Sequence, residues 1–302
     1  MQSLSERAAL KIALVYCPAA VVPGSISGPE LIFPPIGICS LAGFLRQNGY
    51  SAELFDFLLE FDTTVLHEDL RLPLTDLIAA VRSDKAYDPA VISNLAFYLG
   101  LNRNYLSREV TRFHLELEHI DPEKETFPVN PVRAFFVLAA RRLAHFDIVG
   151  LSVILEEQQV PAMILARWIR ALSAATKIVV GGPGAHPELW YREADLVIQG
   201  DGESAFLSYV LSEDKPAGSP SPLPDAGEIL HEENLDDLPP PDFQALFAKY
   251  QYLAPVRIIP TAVTRGCYWS RCLFCAFGWR GDDSPRCTAP YRKMSAAKVV
   301  VD

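Results

Sequence analysis

No apolar run in this 302-residue chain reaches the ~18 residues that a membrane-crossing helix needs. Positive charge is the scarcer sign. Against 37 Asp and Glu there are 27 Lys and Arg, a net charge of −10 and a pI near 5.1. That balance argues against a general binder of nucleic acid or of a membrane surface. Cysteine is sparse as well: six residues are too few for a disulfide scaffold. There is no internal repeat, and no GxGxxG fingerprint, so a nicotinamide cofactor is poorly supported. The apolar stretch near the N-terminus is interrupted by Lys11 and preceded by Glu6 and Arg7. It reads as a buried first strand, "KIALVYC", rather than a signal segment. A cytoplasmic protein is the expectation.

Half of the residues are apolar, ample for a folded core. Strand 11–17 is followed by a Pro/Gly/Ser loop. A helix over 36–50 then ends at Asn48-Gly49, and a second strand covers 51–57. Residues 58–145 break the rhythm and read as a helical insertion. Its histidines, His67, His114, His119 and His145, share no metal-like spacing. Strand "FDIVGLSV" (146–153), an amphipathic helix over 156–175, strand "KIVVGGPGAH" (177–186) and strand–turn–helix "ADLVIQGDGESAF" (194–206) resume the alternation. Met163 and Trp168 on that helix read as packing residues. Alternating strands and helices predict an α/β fold with an open, Rossmann-like parallel sheet, which binds ligands outside the carboxyl ends of its strands.

The predicted domains are 1–211, a 212–255 connector rich in Pro, Ser and acid, and 256–302. In the last, "VRIIPTAVTRGC" (256–267) reads as a strand and a helix starts at Ser295. Two glycine turns, Gly181-Gly182-Pro183-Gly184 and Gly200-Asp201-Gly202-Glu203, fall on the same sheet edge. Asp201 reads as a helix cap, and Glu203 favours the first turn. Together the turns favour a nucleotide-tailed or phosphate-bearing ligand.

Of the six thiols, Cys17 and Cys39 read as core residues. The other four crowd together, which in a reducing compartment points to metal. "TRGCYWSRCLFC" places Cys267, Cys272 and Cys275 as CxxxxCxxC, with Cys287 further on. Three thiolates can hold three irons of a 4Fe–4S cluster and leave the fourth open, whereas four would close a structural zinc site. The single CxxC favours iron–sulfur over zinc.

These pieces, in order, resemble the cobalamin-binding radical S-adenosylmethionine family. They are "PPIGICSLAGFLRQNGY", "DIVGLS", the Gly181-Gly182 turn, "GDGE" at 200–203, "LDDLPPPDF" and "TRGC". The cysteine wording, followed by "YR" and Ser295, resembles the branch that modifies ribosomally made peptides. The resemblance implies a cobalamin-binding sheet domain with contacts at Ser152, Gly181, Gly182, Gly202 and Glu203. It implies a 4Fe–4S cluster on Cys267, Cys272 and Cys275, and S-adenosylmethionine with its adenine against Phe274. The first cysteine gap holds four residues where the family's commonest holds three. No DxHxxG occurs, so cobalamin would bind without an axial histidine, and His186 is not expected to ligate.

The implied chemistry is reductive cleavage of S-adenosylmethionine, hydrogen abstraction from an unactivated carbon, and C-methylation or a related modification of a peptide or small natural product. An electron donor such as flavodoxin or ferredoxin is implied too. The family's partial (β/α) barrel would need about five more units of ~30 residues after residue 302. A separate chain completing an incomplete barrel is therefore an expected partner. Two alternatives stay open: a non-catalytic cobalamin-binding module with a vestigial cluster loop, and a zinc-stabilised interaction protein.

Overall fold

The computed structural model describes residues 10–20, 31–116, 130–190, 192–214, 234–269 and 291–301. Five parallel strands form its centre: β1 (Ile12–Tyr16), β2 (Ala52–Asp56), β3 (Ile148–Ser152), β4 (Lys177–Gly181) and β5 (Leu196–Ile198). Their order is β2-β1-β3-β4-β5. This is the flavodoxin-like order of a doubly wound sheet, with the reversal of winding between β1 and β3. The α/β expectation holds.

β1 shows why the strands lie where they do. All five of its residues are buried, as a strand covered on both faces requires. Ala13 and Val15 point into one apolar cluster, and Ile12, Leu14 and Tyr16 into another. Helix α1 (Ile36–Gln47) follows β1 and stops at Asn48, with Gly49 at φ +85°. Between β2 and β3 the described residues form α2 (Phe57–Thr64), α3 (Arg71–Val81), α4 (Pro89–Glu116) and α5 (Pro131–Leu143). Asn130 caps α5, its side chain accepting from Val132 N and Arg133 N. Inside this helical part Arg103 of α4 binds Asp62 of α2 at 2.5 and 2.9 Å, both side chains buried.

Helix α6 (Gln159–Leu172) joins β3 to β4, and packs with α4 and α5 over one face of the sheet. Trp168 is buried there and Met163 packs against the same cluster. The one-turn helix α7 (Pro187–Trp190) precedes β5, and α8 (Gly202–Glu213) follows it, packing with α1 over the other face. The final part contains α9 (Gln244–Lys249), the two-residue antiparallel pair β6 (Thr264–Arg265) and β7 (Arg292–Lys293), and α10 (Ala296–Val301).

The described end of the connector is a strap packed on α1, β2 and α2. Arg46 reaches Asp242 at 2.8 Å, Asp242 N donates to Cys39 O at 2.9 Å, and Tyr252 donates to buried Asp56 at 2.9 Å. A Cβ on Gly43 would lie 2.4 Å from Pro240 O, so the strap's close approach requires glycine there. Cys17 and Cys39 are buried thiols, their pKa values pushed up by burial and, for Cys39, by Asp242 and Asp56 as well.

The strand expected over 256–267 is confined to Thr264–Arg265. "VRIIPTAV" has strand composition, but a strand also needs a neighbour to bond. Pro260 supplies no N–H, and among the described residues the only partner is β7. The helix expected from Ser295 is α10, with the Ser295 hydroxyl accepting from Lys298 N at 3.1 Å. Among the described residues, no helix is long and apolar enough to cross a membrane.

Candidate functional site

The register aligns the last residues of all five strands into one row: Asp56, Tyr16, Ser152, Gly181 and Ile198. Above the Ser152–Gly181–Ile198 end of this row opens a crevice of about 290 Å³. Its floor is sheet (Leu14, Gly150, Leu151, Val179) and one side is the start of α1 (Ile36, Gly37, Ser40). The opposite side is the turn 200–203 with Phe206 of α8. Ala262 and Arg265 close it from the segment that leads to Cys267.

All five sheet-edge residues singled out from the sequence line this crevice: Ser152, Gly181, Gly182, Gly202 and Glu203. Gly182 holds φ +105°, and a Cβ there would fall 2.4 Å from Val153 O. The turn after β4 can fold back on the loop after β3 only with glycine at this position. Gly37 and Gly202 differ: a Cβ on either would meet nothing within 4 Å. Both line the crevice, and a side chain on either would enter open space.

Two residues behind the crevice carried no motif in the sequence. Gln158, fully buried, accepts from Ile154 N at 2.7 Å and Leu155 N at 3.0 Å, and donates to Cys17 O at 2.6 Å. Its amide ties the loops after β1 and β3 together where the winding reverses. Gln159 accepts from Trp190 Nε1 at 2.8 Å and donates to Gly184 O. The doublet "EEQQ" inside an amphipathic pattern was the available signal, since two polar residues there face inward.

Glu203 stands in the first turn of α8 as expected, whereas Asp201 has a different role from the cap expected of it. Asp201 stands at the N-cap position of α8, but its side chain makes no cap bond. It accepts instead from Arg292 Nη1 at 2.5 Å and lies 3.2 Å from Arg265 Nη1. Glu203, buried, accepts from Arg265 at both oxygens, at 2.9 and 2.5 Å. Its carboxylate is thus committed to the cysteine segment while the residue lines the crevice. Burial alone would lower the pKa of Arg265; the carboxylates of Glu203 and Asp201 outweigh that and hold the guanidinium charged. The walls of the crevice are otherwise apolar, with hydroxyls at Ser40 and Ser152.

Cys267 follows two residues after Arg265 and is exposed. Cys272, Phe274, Cys275 and Cys287 lie outside the described residues. His186 lies 4.0 Å from Glu156.

No family model matches the chain. No curated protein matches it. A similar solved structure is that of the radical S-adenosylmethionine methyltransferase TsrM from Kitasatospora setae with cobalamin and a 4Fe–4S cluster bound. It shares 14% identity at a TM-score of 0.45 over 97% of this chain, which spans 46% of that chain's length.

Proposed function

We propose that this chain is a cobalamin-dependent radical S-adenosylmethionine enzyme, or the cobalamin-binding part of one, acting on a peptide or small natural product by C-methylation or a related radical modification. The observation that carries this reading is a juxtaposition. One crevice at the carboxyl edge of a parallel sheet contains both glycine turns, and Arg265, two residues before the first clustered cysteine, forms its rim.

The residues fit the groups. At about 290 Å³ the crevice suits part of a large cofactor, such as a nucleotide-sized arm of cobalamin, with the rest lying over the edge. Gly37 and Gly202 line the crevice without side chains, so such an arm would approach their backbone unobstructed. Ser152, Gly181, Gly182 and Gly202 would contact it, with Glu203 shaping the rim through Arg265. Three clustered thiols are the donor set of an iron–sulfur cluster with one open iron, so Cys267, Cys272 and Cys275 would hold it. When bound, the cofactors supply the methyl group, the electron and the radical chemistry. The protein supplies position and exclusion of water.

Apolar walls keep water from one side of the site. Phe274 would stack on the adenine of S-adenosylmethionine. An electron donor of the flavodoxin or ferredoxin kind would reduce the cluster. Val256, Ile259 and Trp269 are exposed, and we assign their cover to further polypeptide, of this chain or a separate one, that completes the enclosure.

Anaerobic preparation with iron, sulfide and hydroxocobalamin tests the reading. It predicts both corrin and brown iron–sulfur absorbance, with the brown component lost in Cys272→Ala. Corrin without iron would leave only the cobalamin module. Stoichiometric zinc with four cysteines protected would point to the interaction protein. Uptake of neither iron nor corrin would overturn the assignment.

A further inference from the structure

The two arginines that meet the 200–203 turn do not come from one place in the chain. Arg265 precedes the segment 270–290 and Arg292 follows it. Across the β6–β7 pair they are register partners. Both ends of the cysteine-bearing segment therefore meet in one two-stranded stem, which presents two guanidinium groups side by side. The turn answers with two carboxylates. Glu203 takes Arg265 at both oxygens, and Asp201 takes Arg292 at 2.5 Å with Arg265 at 3.2 Å. Side-chain exposure is 22% for Arg265, 13% for Asp201, 9% for Arg292 and 6% for Glu203, so water screens these pairs little.

Three further contacts hold the same stem. Met294 N donates to Val263 O at 2.9 Å, Ser295 N to Asp236 at 2.8 Å, and the Tyr268 and Tyr291 rings meet edge-on at 6.1 Å. The four-charge cluster is the link among these that reaches the crevice: Asp201, Glu203 and Arg265 line it, whereas Arg292 does not.

We propose that Arg265 and Arg292 are positioning residues: with Glu203 and Asp201 they form a latch that seats the stem of the cysteine segment on the crevice rim. Placement of the thiols is thereby coupled to occupancy of the crevice. A bidentate Arg–carboxylate pair fixes orientation as well as distance, and the second arginine prevents the stem from pivoting about the first. Both arginines stand on the one two-stranded stem, so separating the latch breaks both pairs together and the stem is seated or released as a unit. A ligand that fills the crevice covers the rim at Arg265 and favours the seated state. The coupling half of this proposal rests on the functional reading above; the latch itself does not.

Hydrogen exchange on the full chain separates the two halves. Without any ligand, Glu203→Gln and Arg292→Gln should speed exchange in peptides covering 262–269 and 291–296 by about tenfold, the factor for losing one charge-assisted buried bond. Peptides from β1, β3 and β4 should be unchanged. Arg292→Lys, which keeps the charge but not the planar fork, should fall in between. Unchanged exchange in the two stem peptides would overturn the latch. A uniform acceleration that includes the strands, seen with Arg292→Lys too, would make these residues structural and overturn it as well.

Hydroxocobalamin is then added. In the wild type it should slow the 262–269 peptide several-fold, and in both Gln variants that protection should be lost. Binding that leaves this peptide unaffected in the wild type overturns the coupling while the functional reading stands. Failure of the wild type to bind hydroxocobalamin overturns the functional reading, with the latch still decided by the ligand-free exchange.

Discussion

The two walls of the crevice are built by opposite means. The sheet wall is held by burial: the strands of β1, β3 and β4 send alternate residues into two apolar clusters, and glycine permits the close turn at Gly182. The stem wall has little apolar cover of its own. Val263, Tyr268, Trp269 and Tyr291 are exposed, and the stem sits on the edge through Arg265 and Arg292. A wall fixed by the core moves only when the protein unfolds, whereas a wall fixed by charge can leave and return at small cost. On the proposals above, the site would join a rigid ligand seat to a detachable carrier of cysteine.

The comparison can be broken most sharply on the sheet side. Gly182→Ala should destabilise the whole protein by about 3 kcal/mol, combining a left-handed backbone with a 2.4 Å clash on Val153 O. A urea midpoint equal to wild type would refute the rigid seat.

The next effect concerns the one acid in the strand-end row. Burial pushes Asp56 up to about 7; the donors Leu59 N and Tyr252 OH oppose the shift, and Glu60 and Asp62 add to it. A carboxyl whose folded pKa lies above its ordinary 3.8 contributes stability below that value and loses it as pH rises through about 7. Asp56→Asn has no such loss. Its stability relative to wild type should therefore improve by ~2 kcal/mol between pH 5 and pH 8, read from paired denaturation curves. A relative decline over that range would contradict the burial argument.

The smallest effect belongs to the stem. Arg265→Met should change global stability by no more than about 1 kcal/mol, because the released stem lets Glu203 rehydrate. A loss as large as that of Gly182→Ala would erase the distinction between the walls.

Much of the sheet was legible because parallel strands covered on both faces are written as short apolar runs, "IALVY" and "IVGLS" among them. The crevice residues were legible for a related reason, since glycine turns directly after such runs mark the carboxyl edge. The latch was not. Arg265 and Glu203 stand 62 residues apart, and a pair of opposite charges has no period to betray it. Helix α4 was also obscure: Ile92, Phe97 and Leu101 lie on its exposed side while Asn102 and Arg103 are buried. The inward stripe is partly polar because it serves Asp62 and the Val65–His67 turn. The run over 256–263 misled in the other direction, having strand composition without a neighbour to pair.

The central claim is that the crevice receives cobalamin, and Gly37 offers the most direct test. A side chain there enters open space beside the crevice, so Gly37→Leu should leave the melting temperature unchanged or raise it, as replacement of a helical glycine does. Titration with hydroxocobalamin is predicted to show binding by the wild type and a loss of about 100-fold or more in the variant, the cost of about 2.7 kcal/mol of blocked contact. Equal affinity in the two proteins, or no binding by either, would contradict the account.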